Sequence, residues 1–260
     1  MKKIFLFLII IISCDVPTFE ADNSFDPQNP SYVPPIVTIK SGPQSDETVS
    51  TSSVAFTWEG NTDGMFFRYF FDGRLIEDWS DINSALIENL DEGDHSFGVQ
   101  GKYPTGDATD TLKVNFKVDA VKGPSLLFYP RKAIAPIGGQ LVFEVLAEEV
   151  EGLAASSFTL LYNNQSIKID SVSKGNFISG YNSSIFYSDI VLSGEINIIS
   201  ALIGDSSPVF SGTTSIAKIY LTVQSNGLSE ISFKGDETFR DLNNNIISIN
   251  SSIGGIVDQK

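Results

Sequence analysis

Cysteine and histidine are the scarcest chemically reactive residues of this sequence: one of each, Cys14 and His95, occurs in 260 residues. A single cysteine excludes an internal disulfide and a zinc cluster built from cysteines. A single histidine excludes a zinc site with two or more histidine ligands, and any Ser-His-Asp triad would have to use His95. The commonest catalytic residue sets are therefore missing, and we expect a protein that is not an enzyme and has no cofactor or metal.

Basic residues are also few, with 17 lysines and arginines against 32 aspartates and glutamates, for a net charge of −15. A surface this acidic repels phosphate backbones, so we expect no nucleic-acid partner. Charged residues make up only 19% of the chain and hydrophobic residues 42%. This balance is typical of a chain that buries a core and is not globally disordered.

Long apolar runs are absent apart from Ile4–Ile12, which follows the cationic start Met1-Lys2-Lys3. The run is about half the roughly 20 residues that a membrane-spanning helix needs. A short apolar run behind a cationic start is typical of a signal peptide. The sequence therefore predicts export.

The end of that run, Ile11-Ile12-Ser13-Cys14, resembles a bacterial lipobox. The resemblance implies that residues 1–13 are a lipoprotein signal peptide and that Cys14 becomes the lipidated N-terminus. Several acyl chains hold a protein stably to a bilayer. We expect an exported protein that is lipid-anchored to a bacterial membrane at the cell surface. Asp15, directly after the cysteine, resembles an inner-membrane retention signal of some enteric bacteria, and the choice between the inner and outer membrane stays open. The alternative is an ordinary signal peptide with a chance cysteine.

Residues 14–35 hold five of the eleven prolines and show no sustained alternation of apolar and polar residues. Proline favours extended backbone, so this segment is predicted to be a solvated, Pro-rich tether. Its aspartates and asparagines could alternatively form a calcium loop.

From Ile36 the pattern changes to strict alternation, as in Val54, Phe56 and Trp58, with turn signals such as Asp72-Gly73 between the runs. Short alternating runs without a helical period predict an all-β chain with a β-sandwich over residues 36–120. The stretch 90–99 resembles the corner and following strand of immunoglobulin or fibronectin-III-like modules. The resemblance implies an Ig-like sandwich in which His95 caps a backbone carbonyl.

Val121-Lys122-Gly123-Pro124 interrupts the alternation and is typical of a short linker. A second alternating series occupies residues 124–260, with eight or nine predicted strands and turns rich in Gly, Asn and Ser. The two series show no mutual repeat. We therefore predict two different β-sandwich domains.

The second domain resembles a cohesin domain through several segments in order. The stretch VEGLAASSFTLLY at 150–162 matches that family most closely, and SVSKG at 171–175 matches its Val-x-x-Gly turn. Further similarities lie at 135–147, 211–219, 241–246 and 255–257. The resemblance implies a flattened jelly roll that binds dockerin modules on other proteins and takes part in polysaccharide degradation.

The resemblance also suggests where a partner would bind. The sheet expected to contain 158–162 and 216–223 meets the dockerin in that family, which makes Thr159, Asn163 and Thr222 candidate contacts. Solvated strand faces are the ordinary alternative. At 162–164 this chain has Tyr-Asn-Asn where cohesins commonly have Tyr-Asp-Pro.

Two other functions stay open. Exposed aromatic rings can stack on sugars, and Trp79, Tyr103 and Tyr181 are the candidates for such carbohydrate binding. Alternatively, both sandwiches serve a purely structural or adhesive role in the cell envelope.

Asp241-x-Asn243-x-Asn245 copies the first positions of a calcium loop, but Ile246 and Ser252 stand where that loop needs Gly and Glu. A turn between strands is therefore expected at 241–245.

Overall fold

The computed structural model describes residues 23–179, 181, 183–191, 194–204 and 209–259. The predicted signal peptide at 1–13 and Cys14 lie outside the described residues. None of the helices in the described ranges is long and apolar enough to cross a membrane.

The N-terminal part forms eight strands: β1 (Val37–Ser41), β2 (Glu47–Val49), β3 (Ser53–Gly60), β4 (Phe66–Phe71), β5 (Arg74–Ser80), β6 (Ser84–Glu88), β7 (Gly93–Lys102) and β8 (Leu112–Val118). They make a three-stranded sheet in the order β1-β3-β6 and a five-stranded sheet in the order β2-β8-β7-β4-β5. The inward side chains of both sheets share one apolar cluster. This part of the chain is a β-sandwich.

The alternation seen in the sequence decides which side chains fill this core. Along β3, Val54, Phe56 and Trp58 are buried and their neighbours are exposed, because successive side chains of a strand point to opposite faces. The rings of Phe56 and Phe97 stack across the sandwich, with their centroids 3.9 Å apart.

His95 lies near the start of β7, next to the corner formed by Asp91 and Glu92, as the resemblance implied. Its Nε2 lies 2.9 Å from the carbonyl oxygen of Asp91, so the expected contact with a backbone carbonyl is confirmed. Its Nδ1 lies 2.8 Å from Oδ2 of Asp72, and its ring packs against Phe71 and Phe116. The histidine therefore holds a corner of the sandwich together.

Part of the predicted tether, residues 23–35, contacts the N-terminal sandwich through two aromatic residues. Phe25 and Tyr32 pack against the N-terminal core, and the ring of Phe25 lies 4.7 Å from that of Tyr103. The Tyr103 hydroxyl donates to the carbonyl of Val33. The physical reason is that burying two aromatic rings outweighs the freedom of an extended segment.

The C-terminal part forms thirteen strands and one short helix: β9 (Ser125–Tyr129), β10 (Lys132–Ala135), β11 (Gln140–Leu153), β12 (Ala155–Tyr162), β13 (Ile167–Lys174), α1 (Asn176–Ser179), β14 (Ser184–Val191), β15 (Glu195–Leu202), β16 (Phe210–Val223), β17 (Gly227–Phe233), β18 (Thr238–Arg240), β19 (Ile246–Ile247), β20 (Ser251–Ile253) and β21 (Gly255–Gln259). One sheet has the order β10-β21-β17-β12-β15-β14, with β18 and β19 paired beside β12. The other has the order β13-β16-β11-β9-β20.

These two sheets enclose a second apolar cluster, which runs from Leu126 to Val257 and is separate from the N-terminal one. The prediction of an all-β chain with two β-sandwiches is confirmed. The Ig-like type of the first sandwich and the boundaries 36–120 and 124–260 stay predictions.

Candidate partner-binding face

The strand β12 lies in the middle of the eight-stranded sheet and presents alternate residues to the core and to solvent. Phe158 and Leu160 are buried in the core cluster. Their neighbours therefore point outward, away from the other sheet. The outer surface of β12, β15 and β14 is the candidate binding face.

Strand register determines which side chains meet on this face. Ser157 pairs with Ile199, and Ile199 pairs with Tyr187. Two residues further along β15, on the same face, Ala201 pairs with Ile185. Side chains directly opposite each other in a sheet lie on the same face, so the large apolar residues of β14 and β15 are neighbours.

The three large members of this group are well exposed: Ile185 by 49%, Tyr187 by 52% and Ile199 by 43%. We call these three residues the apolar stripe. Sequence reasoning did not select any of them. The available signal was the alternation within 184–191, which puts Ile185 and Tyr187 on one side of a strand while Phe186 packs against the core.

A polar row borders the stripe. Thr159 pairs with Asn197, and Asn197 pairs with Asp189. The Thr159 hydroxyl lies 2.6 Å from Oδ2 of Asp236, and the Thr159 N–H donates to Oδ1 of the same carboxylate at 2.9 Å. The loop that carries Asp236 therefore covers Thr159, which is only 6% exposed.

Thr159 thus lies on the expected face but is covered by its own chain. Its role is to hold the loop after β17 against the sheet. The nearby Lys234 ammonium pairs with Glu195 at 3.0 Å. These contacts tie Thr159, Asp236, Lys234 and Glu195 together on the polar side of the face.

The expectation that 158–162 and 216–223 share a sheet is wrong. Strand β12 belongs to the eight-stranded sheet, whereas β16 lies between β13 and β11 in the five-stranded sheet. Thr222 is therefore on the opposite side of the sandwich from Thr159. The physical reason is that β16 is long and pairs with both β11 and β13 along most of its length.

The surroundings of Thr222 and Asn163 are structural. The Thr222 hydroxyl donates to Oδ2 of Asp170 at 2.6 Å, and hydrogen bonds from Lys168 and Thr222 lower the pKa of the Asp170 carboxyl. Asn163 lies after the end of β12, where its side-chain oxygen accepts the N–H of Gln165 at 3.0 Å. Asn163 is exposed and shapes the turn toward β13.

The three aromatic candidates fall in different places. Tyr103 is only 2% exposed, so the expected stacking of this ring on a sugar is wrong; the segment 23–35 covers it. Tyr181 is partly buried and packs against the C-terminal core. Trp79 is half-buried on the outer side of the N-terminal five-stranded sheet, with the cations of Arg68 and Lys102 over its ring.

The loop 241–245 is a turn, as expected. Oδ1 of Asp241 accepts the N–H groups of Asn243 and Asn245 at 2.9 and 2.8 Å. The Asn245 side-chain amide also donates to Oδ2 of Asp241 at 2.9 Å. This side-chain bond, followed by the backbone bonds, lowers the pKa of the Asp241 carboxyl. Across the described ranges, no group of three or more His, Cys, Asp or Glu residues could hold a metal ion.

Comparison with known proteins gives one family. The family model of the cohesin domain matches residues 131–257. A comparison with curated proteins found no match.

Several solved structures are similar to the same half of the chain. The non-cellulosomal cohesin from Archaeoglobus fulgidus has 19% identity and a TM-score of 0.43, over 51% of this chain and 88% of that one. The sixth cohesin of scaffoldin B from Acetivibrio cellulolyticus, solved in complex with a mutant Cel5 dockerin, has 18% identity and a TM-score of 0.47, over 54% and 100%. A type II cohesin domain from the same organism's cellulosome has 14% identity and a TM-score of 0.46, over 51% and 94%.

The family assignment rests on the sequence model, and its limits agree with the second sandwich. The matched range begins just before β10 and ends within β21, so it contains most of both sheets and the candidate face. Residues 131–257 of this chain are a cohesin domain.

Proposed function

We propose that this cohesin domain binds a dockerin-type protein module through the apolar stripe of β14 and β15. The observation that carries the proposal is the presence of Ile185, Tyr187 and Ile199 side by side on the outside of a chain with a net charge of −15. Family membership supports a dockerin as the class of partner.

The geometry of the face suits a protein partner. Interfaces combine an apolar centre, often with an aromatic anchor, and a polar rim. Here Tyr187 and Ile199 supply the centre, and Asn197 and Asp189 supply the rim. Because the rim on the Thr159 side is held by hydrogen bonds and an ion pair, little ordering of that side accompanies binding.

The test is titration calorimetry with dockerin modules encoded in the same genome, using the full chain with Cys14→Ser. We expect Ile199→Glu to weaken binding by about tenfold or more, since it places a charge in the centre of the interface. The matched control is Tyr220→Ala, which removes an exposed ring from the five-stranded sheet on the other side. Equal affinities of both variants, or no binding of any dockerin module, would contradict the proposal.

The partners are proposed to be polysaccharide-degrading enzymes. The supporting observation is the family match, because resemblance to cohesins implies a part in polysaccharide degradation. Immunoprecipitation of the intact chain from cells grown on polysaccharide is expected to recover dockerin-bearing glycoside hydrolases, and the Ile199→Glu chain is expected not to. Failure to bind either protein or glycan would leave the structural or adhesive envelope role.

Anchoring through Cys14 is part of the same proposal, and it rests on the lipobox-like sequence Ile11-Ile12-Ser13-Cys14. Cys14→Ser is expected to move the protein from the membrane fraction to the soluble fraction, because only the cysteine sulfur can accept the lipid. Ser13→Ala, which keeps a small residue before the cysteine, is the matched control. A Cys14→Ser chain that remained in the membrane fraction would disprove the anchor.

A further inference from the structure

A second exposed surface lies on the N-terminal sandwich, on the outer side of its five-stranded sheet. Along β4, Phe67 points into the core, so Phe66, Arg68 and Phe70 point outward. Lys102 of β7 pairs in register with Phe66, and Trp79 of β5 joins the same group through its ring contacts. We call Phe66, Arg68, Phe70, Trp79 and Lys102 the cationic aromatic face.

Cations and rings alternate on this face. The guanidinium carbon of Arg68 lies 4.6 Å from the ring centroid of Trp79 and 5.5 Å from that of Phe70. The ammonium nitrogen of Lys102 lies 4.5 Å from the Trp79 centroid and 6.0 Å from that of Phe66. Such contacts hold a cation at a surface without neutralising its charge.

Neither of these cations has an acidic partner within the part of the chain that the structure describes, although acidic residues are abundant. Among the described residues, neither Arg68 nor Lys102 makes an ion pair with a carboxylate, whereas six lysines elsewhere in the chain do. Residues 36–119 contain 15 acidic and only six basic residues. Two unpaired cations packed on aromatic rings in so acidic a domain are complementary to an external anion.

Arg68 is oriented for this purpose. Its Nε donates to Oε1 of Gln100 at 2.6 Å, and the Gln100 amide nitrogen donates to the carbonyl of Thr109. Within the described part of the chain, no hydrogen bond is made by the two terminal nitrogens of the guanidinium. A planar guanidinium held by Nε presents those nitrogens to a carboxylate in a fixed geometry.

A groove continues the face toward β8. Its volume is about 230 Å³, and Phe70, Gly98, Thr111 and Lys113 are among its lining residues. Gly98 pairs with Phe70 on one side and Lys113 on the other. A Cβ at Gly98 would lie 2.9 Å from Cγ2 of Thr111, so the absence of a side chain keeps this groove open. Lys113 adds a third cation, exposed and also without an ion pair among the described residues.

We propose that the cationic aromatic face binds an acidic polysaccharide, a glycan chain that carries carboxylates. Sugar rings present apolar faces that stack on Trp79 and Phe70. Their carboxylates pair with Arg68 and Lys102, and the Thr111 hydroxyl in the groove hydrogen-bonds sugar hydroxyls.

This site lies on a different domain and sheet from the apolar stripe, so it does not rest on the proposed dockerin binding. It would give the protein two ligands. The N-terminal domain would contact the glycan, and the cohesin domain would hold a protein partner.

The experiment measures binding of the full chain with Cys14→Ser to polygalacturonate and to alginate by affinity electrophoresis. The matched control ligand is fully methyl-esterified polygalacturonate, which keeps the sugar rings and removes the charge. We expect binding to the two acidic glycans, at least tenfold weaker binding to the ester, and weakening with added salt, because charge-assisted hydrogen bonds carry much of the affinity.

Two variants locate the site. Arg68→Gln is expected to weaken polygalacturonate binding about tenfold, while Arg74→Gln, which removes the same charge from an exposed position of the same domain, leaves it within about twofold. Trp79→Ala should also weaken binding. Unchanged thermal midpoints show that the variants are folded.

Several results would overturn the proposal. These are no binding of either acidic glycan, equal binding of the methyl ester, equal effects of Arg68→Gln and Arg74→Gln, and equally tight binding of poly-glutamate. The last would identify the face as a site for acidic peptides.

Discussion

Oδ1 of Asp91 accepts the main-chain N–H of Arg131 at 2.6 Å, and this hydrogen bond joins the two sandwiches. Asp91 precedes β7, and Arg131 lies between β9 and β10. The Arg131 side chain is only 9% exposed, and burial lowers the pKa of its guanidinium, opposed by the nearby charges of Glu92 and Asp91. Since the Asp91 carbonyl also contacts His95, one residue links the corner of the first domain to the start of the cohesin domain.

The first prediction concerns this link. Asp91→Ala leaves the buried N–H of Arg131 without its acceptor and is expected to lower the free energy of unfolding by about 1–3 kcal/mol. Urea unfolding followed by fluorescence measures it. Asp94→Ala, at an exposed position three residues away, should change the value by less than about 0.5 kcal/mol. Equal effects of the two substitutions would show that the hydrogen bond contributes nothing to stability.

The second prediction concerns pH. Burial raises the pKa of the Asp91 carboxyl above 3.8, and burial raises that of Glu148 above 4.5, with the charges of Glu92, Glu149 and Asp119 adding to the Glu148 shift. A raised folded-state pKa means that the folded chain binds the proton more tightly than the unfolded chain. The stability that these two groups contribute is therefore full below pH 3.8 and 4.5 respectively and is lost as the pH rises through the folded-state values.

Glu148→Gln tests the direction of this dependence of stability on pH. At pH 7 it removes a disfavoured charge and should stabilise the chain by about 0.5 kcal/mol, a small gain because Glu148 is partly exposed and solvent screens its charge. At pH 4 the variant and the parent should unfold at the same temperature in calorimetry. Glu151→Gln, at an exposed position, is the matched control. A stabilisation by Glu148→Gln that was larger at pH 4 than at pH 7 would contradict a raised pKa of Glu148.

The third prediction separates core from surface in β12 and β14. Phe158 is 2% exposed and packs with its ring 5.8 Å from that of Phe233. Phe158→Ala should cost about 3–5 kcal/mol in unfolding free energy, because it removes buried area and leaves a cavity. Tyr187→Ala, on the apolar stripe, should cost less than about 0.5 kcal/mol. A large loss for Tyr187→Ala would mean that the stripe is part of the core and not a binding face.

The fourth prediction concerns Gly175, which follows β13. Its N–H donates to the carbonyl of Ile216 at 2.9 Å, and a Cβ there would lie 2.2 Å from the carbonyl oxygen of Ser215. Gly175→Ala must push two backbones apart and should cost about 1–3 kcal/mol. Chemical denaturation measures the cost, with Ser171→Ala at an exposed position of β13 as control. An alanine variant as stable as the parent would show that this approach of the two backbones is not tight.

Much of the local structure could be predicted from the sequence. Alternation predicted Phe56 and Phe158 for the two cores, the resemblance of 90–99 implied the backbone contact of His95, and the spacing at 241–245 predicted a turn. Each of these depends on neighbours in sequence, where side-chain direction and turn chemistry leave few choices.

The parts that failed depend on residues far apart in the chain. The resemblance implies that Thr222 shares a sheet with Thr159, but the strands of these residues pair in different sheets. The sequence analysis expects Tyr103 to be exposed, whereas in the fold the distant segment around Phe25 covers its ring. The apolar stripe needs the register of β14 against β15, which no local pattern contains.

Sequence alone thus determined the all-β class, the two alternating series, the cohesin resemblance and the inward side of each strand, because a period of two follows directly from strand geometry. Tertiary structure decided which inward and outward faces became neighbours. It brought Ile185, Tyr187 and Ile199 together, placed Arg68 against Trp79, and joined Asp91 to Arg131. The physical reason is that strand pairing and sheet packing are long-range contacts whose energies belong to the whole fold and to no single segment.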